Sequence, residues 1–126
     1  MNGRQPQETG LSKKIKRGDI YLTDLNPVIG TEIGKTRPAV VISNDINNTY
    51  ADTVSIIPIT SNVDKVYPFE VFLAKGESGL NKESKAKCNQ IRSIDKKRLR
   101  KYIGTLKEDR IKELEEAILI HLDIRS

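Results

Sequence analysis

The chain holds one cysteine, Cys88, one histidine, His121, and no tryptophan in 126 residues. A single cysteine cannot close an internal disulfide, so nothing points to an oxidising compartment. One cysteine and one histidine cannot build a Cys/His zinc site. A lone histidine far from any serine signature argues against a Ser-His-Asp triad. No apolar run approaches the ~20 residues that a membrane-spanning helix needs. Met1 to Lys14, MNGRQPQETGLSKK, is polar and unlike a secretory signal. A cytoplasmic protein with no membrane partner is expected. The six aromatics (Tyr21, Tyr50, Tyr67, Phe69, Phe72 and Tyr102) fall mostly in strand-like segments. That is thin for a surface built to stack bases.

With 37% hydrophobic and 31% charged residues, the composition is that of one globular domain with its own core. Lys and Arg exceed Asp and Glu by 22 − 17, a net charge of +5, which favours a polyanionic partner. Residues 1–14, rich in Gly, Gln, Pro and charge, are expected to form a flexible extension, and residues 15–126 a single domain.

From Asp19 the pattern is short and strand-like. DIYLTDL alternates, then Asn26-Pro27 breaks it and a loop with Gly30 and Gly34 follows. PAVVIS (38–43) and VSIIPIT (54–60) are β-branched runs, and Pro58 inside the second suggests an edge or a bulge. PFEVFL (68–73) alternates again, AKCNQI (86–91) is a weaker strand, and a short helix around 95–100 is expected. Thr105 and Glu108 read as a capping box, after which Ile111, Leu114, Ile118 and Leu122 form one helical stripe. Short strands closed by one helix predict a mainly β fold with some α, a small SH3-like barrel with a C-terminal helix.

Three segments carry candidate chemistry. In Gly30-Thr31-Glu32-Ile33-Gly34-Lys35-Thr36-Arg37-Pro38, Pro38 biases Arg37 toward an extended conformation at the mouth of a strand. A guanidinium there suits a phosphate, because its fork pairs two oxygens; a surface ion pair is the commoner use of a loop arginine. Thr60-Ser61-Asn62 ends an apolar run, where hydroxyls bond a phosphate oxygen or, more commonly, cap a turn. In Asn89-Gln90-Ile91-Arg92, a strand would place Gln90 and Arg92 on one face. Residues 82–101 hold nine basic side chains against two acids, a local excess of 9 − 2 = +7 that reads as a solvated face or a nucleic-acid surface. Glu83-Ser84-Lys85 has the carboxylate-x-lysine spacing of some metal nucleases, but no convincing partner acid precedes it.

Taken in order, these segments resemble the MazF/PemK family of toxin endoribonucleases from bacterial toxin–antitoxin pairs. The resemblance runs through Arg17-Gly18-Asp19-Ile20-Tyr21, Leu25-Asn26-Pro27, the 30–41 segment, Ser43-Asn44-Asp45, Pro58-Ile59-Thr60-Ser61 and Gln90-Ile91-Arg92-Ser93-Ile94-Asp95-Lys96 to the closing helix. It implies an SH3-like barrel acting as a homodimer that cuts single-stranded RNA at chosen sequences without a metal ion. Products would carry 2′,3′-cyclic phosphate and 5′-hydroxyl ends, and translation and growth would be inhibited. It implies Arg37 and Thr60 as catalytic residues, and Thr31, Glu32, Lys35, Ser61, Asn89, Gln90 and Arg92 as the RNA-binding set. Many relatives carry an acid where this chain has Asn89. The implied partners are single-stranded RNA, a cognate antitoxin with an acidic C-terminal segment, a second copy, and operator DNA only as part of the toxin–antitoxin complex.

Two alternatives fit the same fold class. One is a non-enzymatic toxin that poisons DNA gyrase, since fold does not fix function. The other is a plain nucleic-acid-binding barrel that leaves its ligand intact.

Overall fold

The computed structural model describes residues 13–125; residues 1–12 of the expected extension lie outside the described residues. The two β-branched runs become strands β2 (Thr36–Val41) and β3 (Thr53–Thr60). Their apolar residues are continuous because both faces are buried. Val40, Ile57 and Ile59 enter one core cluster, while Ala39, Val41, Val54 and Ile56 enter another. Strand β1 (Asp19–Asp24) divides likewise, with Ile20 in the first cluster and Tyr21 in the second.

Strands β4 (Glu70–Leu73), β5 (Ser84–Lys87), β6 (Arg92–Asp95) and β7 (Leu99–Thr105) complete an antiparallel sheet. Its order is β4-β5-β3-β2-β1-β7, with β6 also on β3. Strand β3 changes partner along its length: Thr53 to Ile56 pair with β6, and Ile59 and Thr60 pair with β5. Pro58 is therefore in a central strand rather than on an edge. It is tolerated because it falls in the gap between those two ladders, where its missing N–H interrupts neither. Ile94 of β6 and Leu99 of β7 meet in the second cluster, so the ribbon β6-β3-β2-β1-β7 bends round it in the manner of an SH3-like barrel. Among the described residues no ladder joins β6 to β7, and the sheet remains open.

Helix α2 (Glu108–Leu122) covers the first cluster with Ile111, Leu114 and Ala117, while Leu122 at the end of the expected stripe is exposed. The expected capping box does not form. Lys107 occupies the cap position and Thr105 ends β7, where its hydroxyl donates to the buried Asp19 Oδ1 at 2.8 Å. A bond to a buried carboxylate outcompetes a local cap. Two other expectations are corrected. The 86–91 strand is the end of β5, a 3-10 turn over Cys88–Gln90 and the approach to β6; the 95–100 helix is a 3-10 turn over Lys96–Arg98 leading into β7. Helix α1 (Asp45–Tyr50) had no apolar stripe to announce it, and starts where the Asn44 side chain accepts from Asn47 N–H.

Burial pushes the Cys88 thiol up to about 12 and, with the charge of Asp19, pushes the Tyr21 phenol upward. Both groups ionise in their ordinary range once the chain unfolds. Above about pH 9 the native state therefore holds more protons than the unfolded state, so stability is full below that pH and falls as pH rises toward about 12. Urea midpoints measured from neutral to alkaline pH should decline accordingly, and Cys88→Ala should flatten part of the decline; a pH-independent midpoint would contradict this.

Candidate nucleic-acid interface

Arg37 stands near the start of β2, with its Cα paired to the buried Thr23 of β1. On its other side β2 pairs with β3 in the register Ala39 to Pro58. The ladder ends there; carried two residues further, the same register would set Arg37 across from Thr60, with both side chains on one face. The Arg37 Nε donates to the Gly34 carbonyl at 3.0 Å, which orients the guanidinium and leaves its terminal nitrogens over. No carboxylate pairs with it among the described residues, so the surface ion pair that competed with the phosphate reading is absent. The Thr60 hydroxyl accepts from Asn62 N–H at 3.3 Å. It caps its turn and still has its own proton to donate.

The loop before Arg37 is held by its ends. Leu25 N–H donates to the Lys35 carbonyl at 2.9 Å, and Lys35 N–H donates to Asn26 Oδ1 at 2.9 Å. Gly34 is required for close approach, since a Cβ there would lie 2.6 Å from Asn26 Oδ1. Gly34 is not left-handed; that conformation falls on Gly30, at φ 58°, and on Lys35, at φ 65°. A non-glycine residue in that region costs on the order of 1 kcal/mol and persists where its surroundings impose it. Asn26 is thus a positioning residue that sequence reasoning passed over as a strand breaker. The Glu32 carboxylate accepts from Ile29 N–H at 2.6 Å within the same turn.

Gln90 ties this loop to the far side of β3. Its Oε1 accepts from Ile33 N–H at 2.7 Å across 57 positions of sequence. It ends a 3-10 turn and Arg92 begins β6, so the two are not neighbours on one strand. Between loop and turn lies a cleft of about 340 Å³ lined by Thr31, Glu32, Asn89, Gln90, Ile91 and Arg92. Asn89 Oδ1 is buried without a donor among the described residues. Five of the expected RNA-binding residues meet in this cleft. Lys35 and Ser61 are exposed outside it, and Arg37 and Thr60 belong to the strand ends beside it.

The basic stretch 82–101 is not one patch. Lys85 and Lys96 are buried. Arg92 donates to the Leu25 carbonyl at 3.1 Å and Arg98 to the carbonyls of Asp24 and Asn26, so these cations cap the end of β1. The exposed charge is reduced to Lys82, Lys97, Arg100 and Lys101, with Arg100 itself 3.4 Å from Asp24. His121 is exposed on α2, far in sequence from every strand of the site.

The Gln90–Ile33 bond spans two elements that share no ladder, so it should govern the loop. Gln90→Ala should raise the hydrogen-exchange rate at Ile33 about tenfold, the loss of one net hydrogen bond of ~1 kcal/mol or more. Exchange unchanged at Ile33 would show that the loop holds itself.

Known proteins share this fold. Residues 16–122 match the family described as PemK-like, MazF-like toxin of type II toxin-antitoxin system. The chain is 42% identical over 117 residues to Endoribonuclease MazF9 of Mycobacterium tuberculosis, covering 89% of this chain and 99% of that protein. Its structure is similar to that of MazF from Deinococcus radiodurans, with a TM-score of 0.75 at 25% identity over 86% of this chain and 96% of the other. A MazE–MazF complex from Deinococcus radiodurans shares the fold, with a TM-score of 0.72 at 24% identity over 90% and 100% of the two chains. An open antiparallel sheet with a closing helix and a match that spans nearly the whole chain have one common explanation: this protein belongs to the PemK/MazF family of type II toxins.

Proposed function

We propose that this chain is the endoribonuclease toxin of a type II toxin–antitoxin pair, and that it cuts single-stranded RNA at a phosphate held between Arg37 and Thr60. The observation that carries the reading is the orientation of Arg37, fixed through Nε with its terminal nitrogens unpaired among the described residues, on the same strand face as a hydroxyl with a proton to give. RNA supplies the nucleophile in its 2′-hydroxyl. As the 2′-oxygen bonds to phosphorus the bond to the 5′-oxygen breaks, leaving a 2′,3′-cyclic phosphate and a 5′-hydroxyl. The 2′-oxygen loses a proton and the 5′-oxygen gains one, so no water is consumed. Arg37 stabilises the charge that builds on the phosphoryl oxygens, and Thr60 adds a hydrogen bond. A guanidinium is a poor base and a good donor, so Arg37 acts on the leaving side.

Thr31, Glu32, Asn89, Gln90 and Arg92 read bases in the adjoining cleft, with Lys35 and Ser61 at its margins. Asn89 in place of an acid changes what that position accepts from a base. The toxin acts in the cytoplasm, as a homodimer and without a metal, and inhibits translation and growth. Its antitoxin carries an acidic segment that occupies the RNA groove, since the same cations suit either polyanion. Operator DNA is contacted only within that complex.

A long unstructured RNA should be cut at one short motif by the native protein in EDTA. Arg37→Ala should lose about 10²-fold or more in rate, as expected when a transition-state donor is removed; full activity in that variant would refute the assignment. A synthetic acidic peptide from the antitoxin should compete with RNA, and simultaneous binding without inhibition would count against a shared groove.

A further inference from the structure

The loop between β3 and β4, residues 61–69, follows directly on Thr60, and beyond Ser61 it has no part in the mechanism above. Register pairs Lys85 of β5 with Thr60, and Lys87 with Glu70 of β4. Residues 85 and 87 alternate with 86, so their side chains share the face that carries the Thr60 hydroxyl. There Lys85 Nζ, its side chain only 8% exposed, donates to Glu70 Oε1 at 3.0 Å and to the Lys65 carbonyl at 2.6 Å. Glu70 Oε1 also accepts from Tyr67 N–H at 3.0 Å, and Lys87 approaches Glu70 Oε2 at 3.4 Å. Burial raises the Glu70 carboxyl, but the Tyr67 amide and the two lysines outweigh it and hold the group ionised.

A buried ion pair is expensive to desolvate and stabilises little more than an apolar pair of the same size. What this one does is geometric: it pulls the Lys65 carbonyl and the Tyr67 amide down, folding the loop back over the Thr60 face. On that loop the Tyr67 ring lies parallel to Phe69, with centroids 5.4 Å apart and 1° between planes. The Lys85 ammonium is 5.9 Å from the Tyr67 centroid. Tyr67 is nonetheless 47% exposed, and its neighbour Val66 is 44% exposed. A ring backed by a second ring and a buried cation, yet open to solvent, is a rigid flat surface beside the candidate scissile phosphate.

We infer that the Tyr67–Phe69 pair is a stacking platform for the base of a nucleotide flanking the cut in single-stranded RNA, positioned by Lys85 and Glu70. The inference rests on the RNA-cutting reading above. A nucleobase is the occupant because the platform continues the face of Thr60, and because Lys65, exposed on the same loop, adds charge that a phosphate backbone seeks, whereas Lys85 and Lys87 are engaged by Glu70. Every base has a π-face, so such a platform adds affinity without choosing sequence and complements the cleft at Asn89 and Gln90, which has the polar edges to choose.

The chain has no tryptophan, so Tyr67→Trp places a single indole reporter. The probe is an oligonucleotide spanning the mapped cut site, with 2′-deoxyribose at the cut so that it binds without reacting. Its titration should quench the reporter to saturation. Tyr67→Ala, at a surface position, should bind the probe about tenfold more weakly, the loss of one base stack, while Tyr67→Phe binds within about twofold of native. Lys85→Met with Glu70→Met, which leaves neither charge buried alone, should weaken binding in the same direction as Tyr67→Ala. A silent reporter on a protein that binds the probe, or equal binding by Tyr67→Ala and Tyr67→Phe, would overturn the platform and leave the cleavage reading intact. Failure of the native chain to bind or cut any RNA would overturn both.

Discussion

The exchange of partners along β3 is the constraint on which the rest of the molecule turns. One edge of this strand is shared by β6 and β5, and the two ladders leave Ile57 and Pro58 between them. A strand whose edge is divided in this way must admit a connection in the gap, and the 3-10 turn over Cys88–Gln90 is that connection. Because the turn lies against β3, Gln90 reaches the Ile33 amide and the cleft forms between them. Because β5 takes over for the last two residues, Lys85 comes to lie opposite Thr60. The proline that cannot donate to a ladder thus marks the place from which both halves of the site are laid out.

Electrostatics in this protein is largely a matter of which cations are already engaged. Arg92 and Arg98 are committed to carbonyl oxygens at the end of β1, and Lys85 to a buried carboxylate. Carbonyls at a strand end that receive such donors need no water, so the arginines stiffen the start of the loop at Asn26. Arg37 differs from them in kind. It makes one bond through Nε, to the Gly34 carbonyl, and keeps the part of the guanidinium that pairs with two oxygens. A net charge of +5 is thus a poor guide to where a polyanion would dock, whereas the short list of uncommitted cations is a good one.

Much was legible in the chain. The β-branched runs announced β2 and β3 because two-faced burial demands continuous apolar residues, and the helical stripe announced α2 down to Ile118. Arg37 stood out through Pro38 and the glycines before it. What misled was local pattern without its tertiary competitor. Thr105 has the spacing of a cap but bonds Asp19, which lies 86 positions away in sequence. Strand β7 escaped notice because Arg100, Lys101 and Tyr102 are all exposed and leave no clean alternation. Gln90 and Arg92 were expected to share a strand face, yet the cleft they line depends on their being in different elements.

The sequence by itself determined the fold class and the family, since these follow from residue type and spacing, which are local properties. Only the tertiary structure decided which cations are engaged, that Lys35 rather than Gly34 is left-handed, and that Tyr67 is held open over a buried Lys85 and Glu70. Each of these depends on groups brought together from distant positions. A side chain's partner is chosen by distance in space and by the cost of leaving a buried charge or carbonyl unmatched, and neither quantity is written in the order of residues.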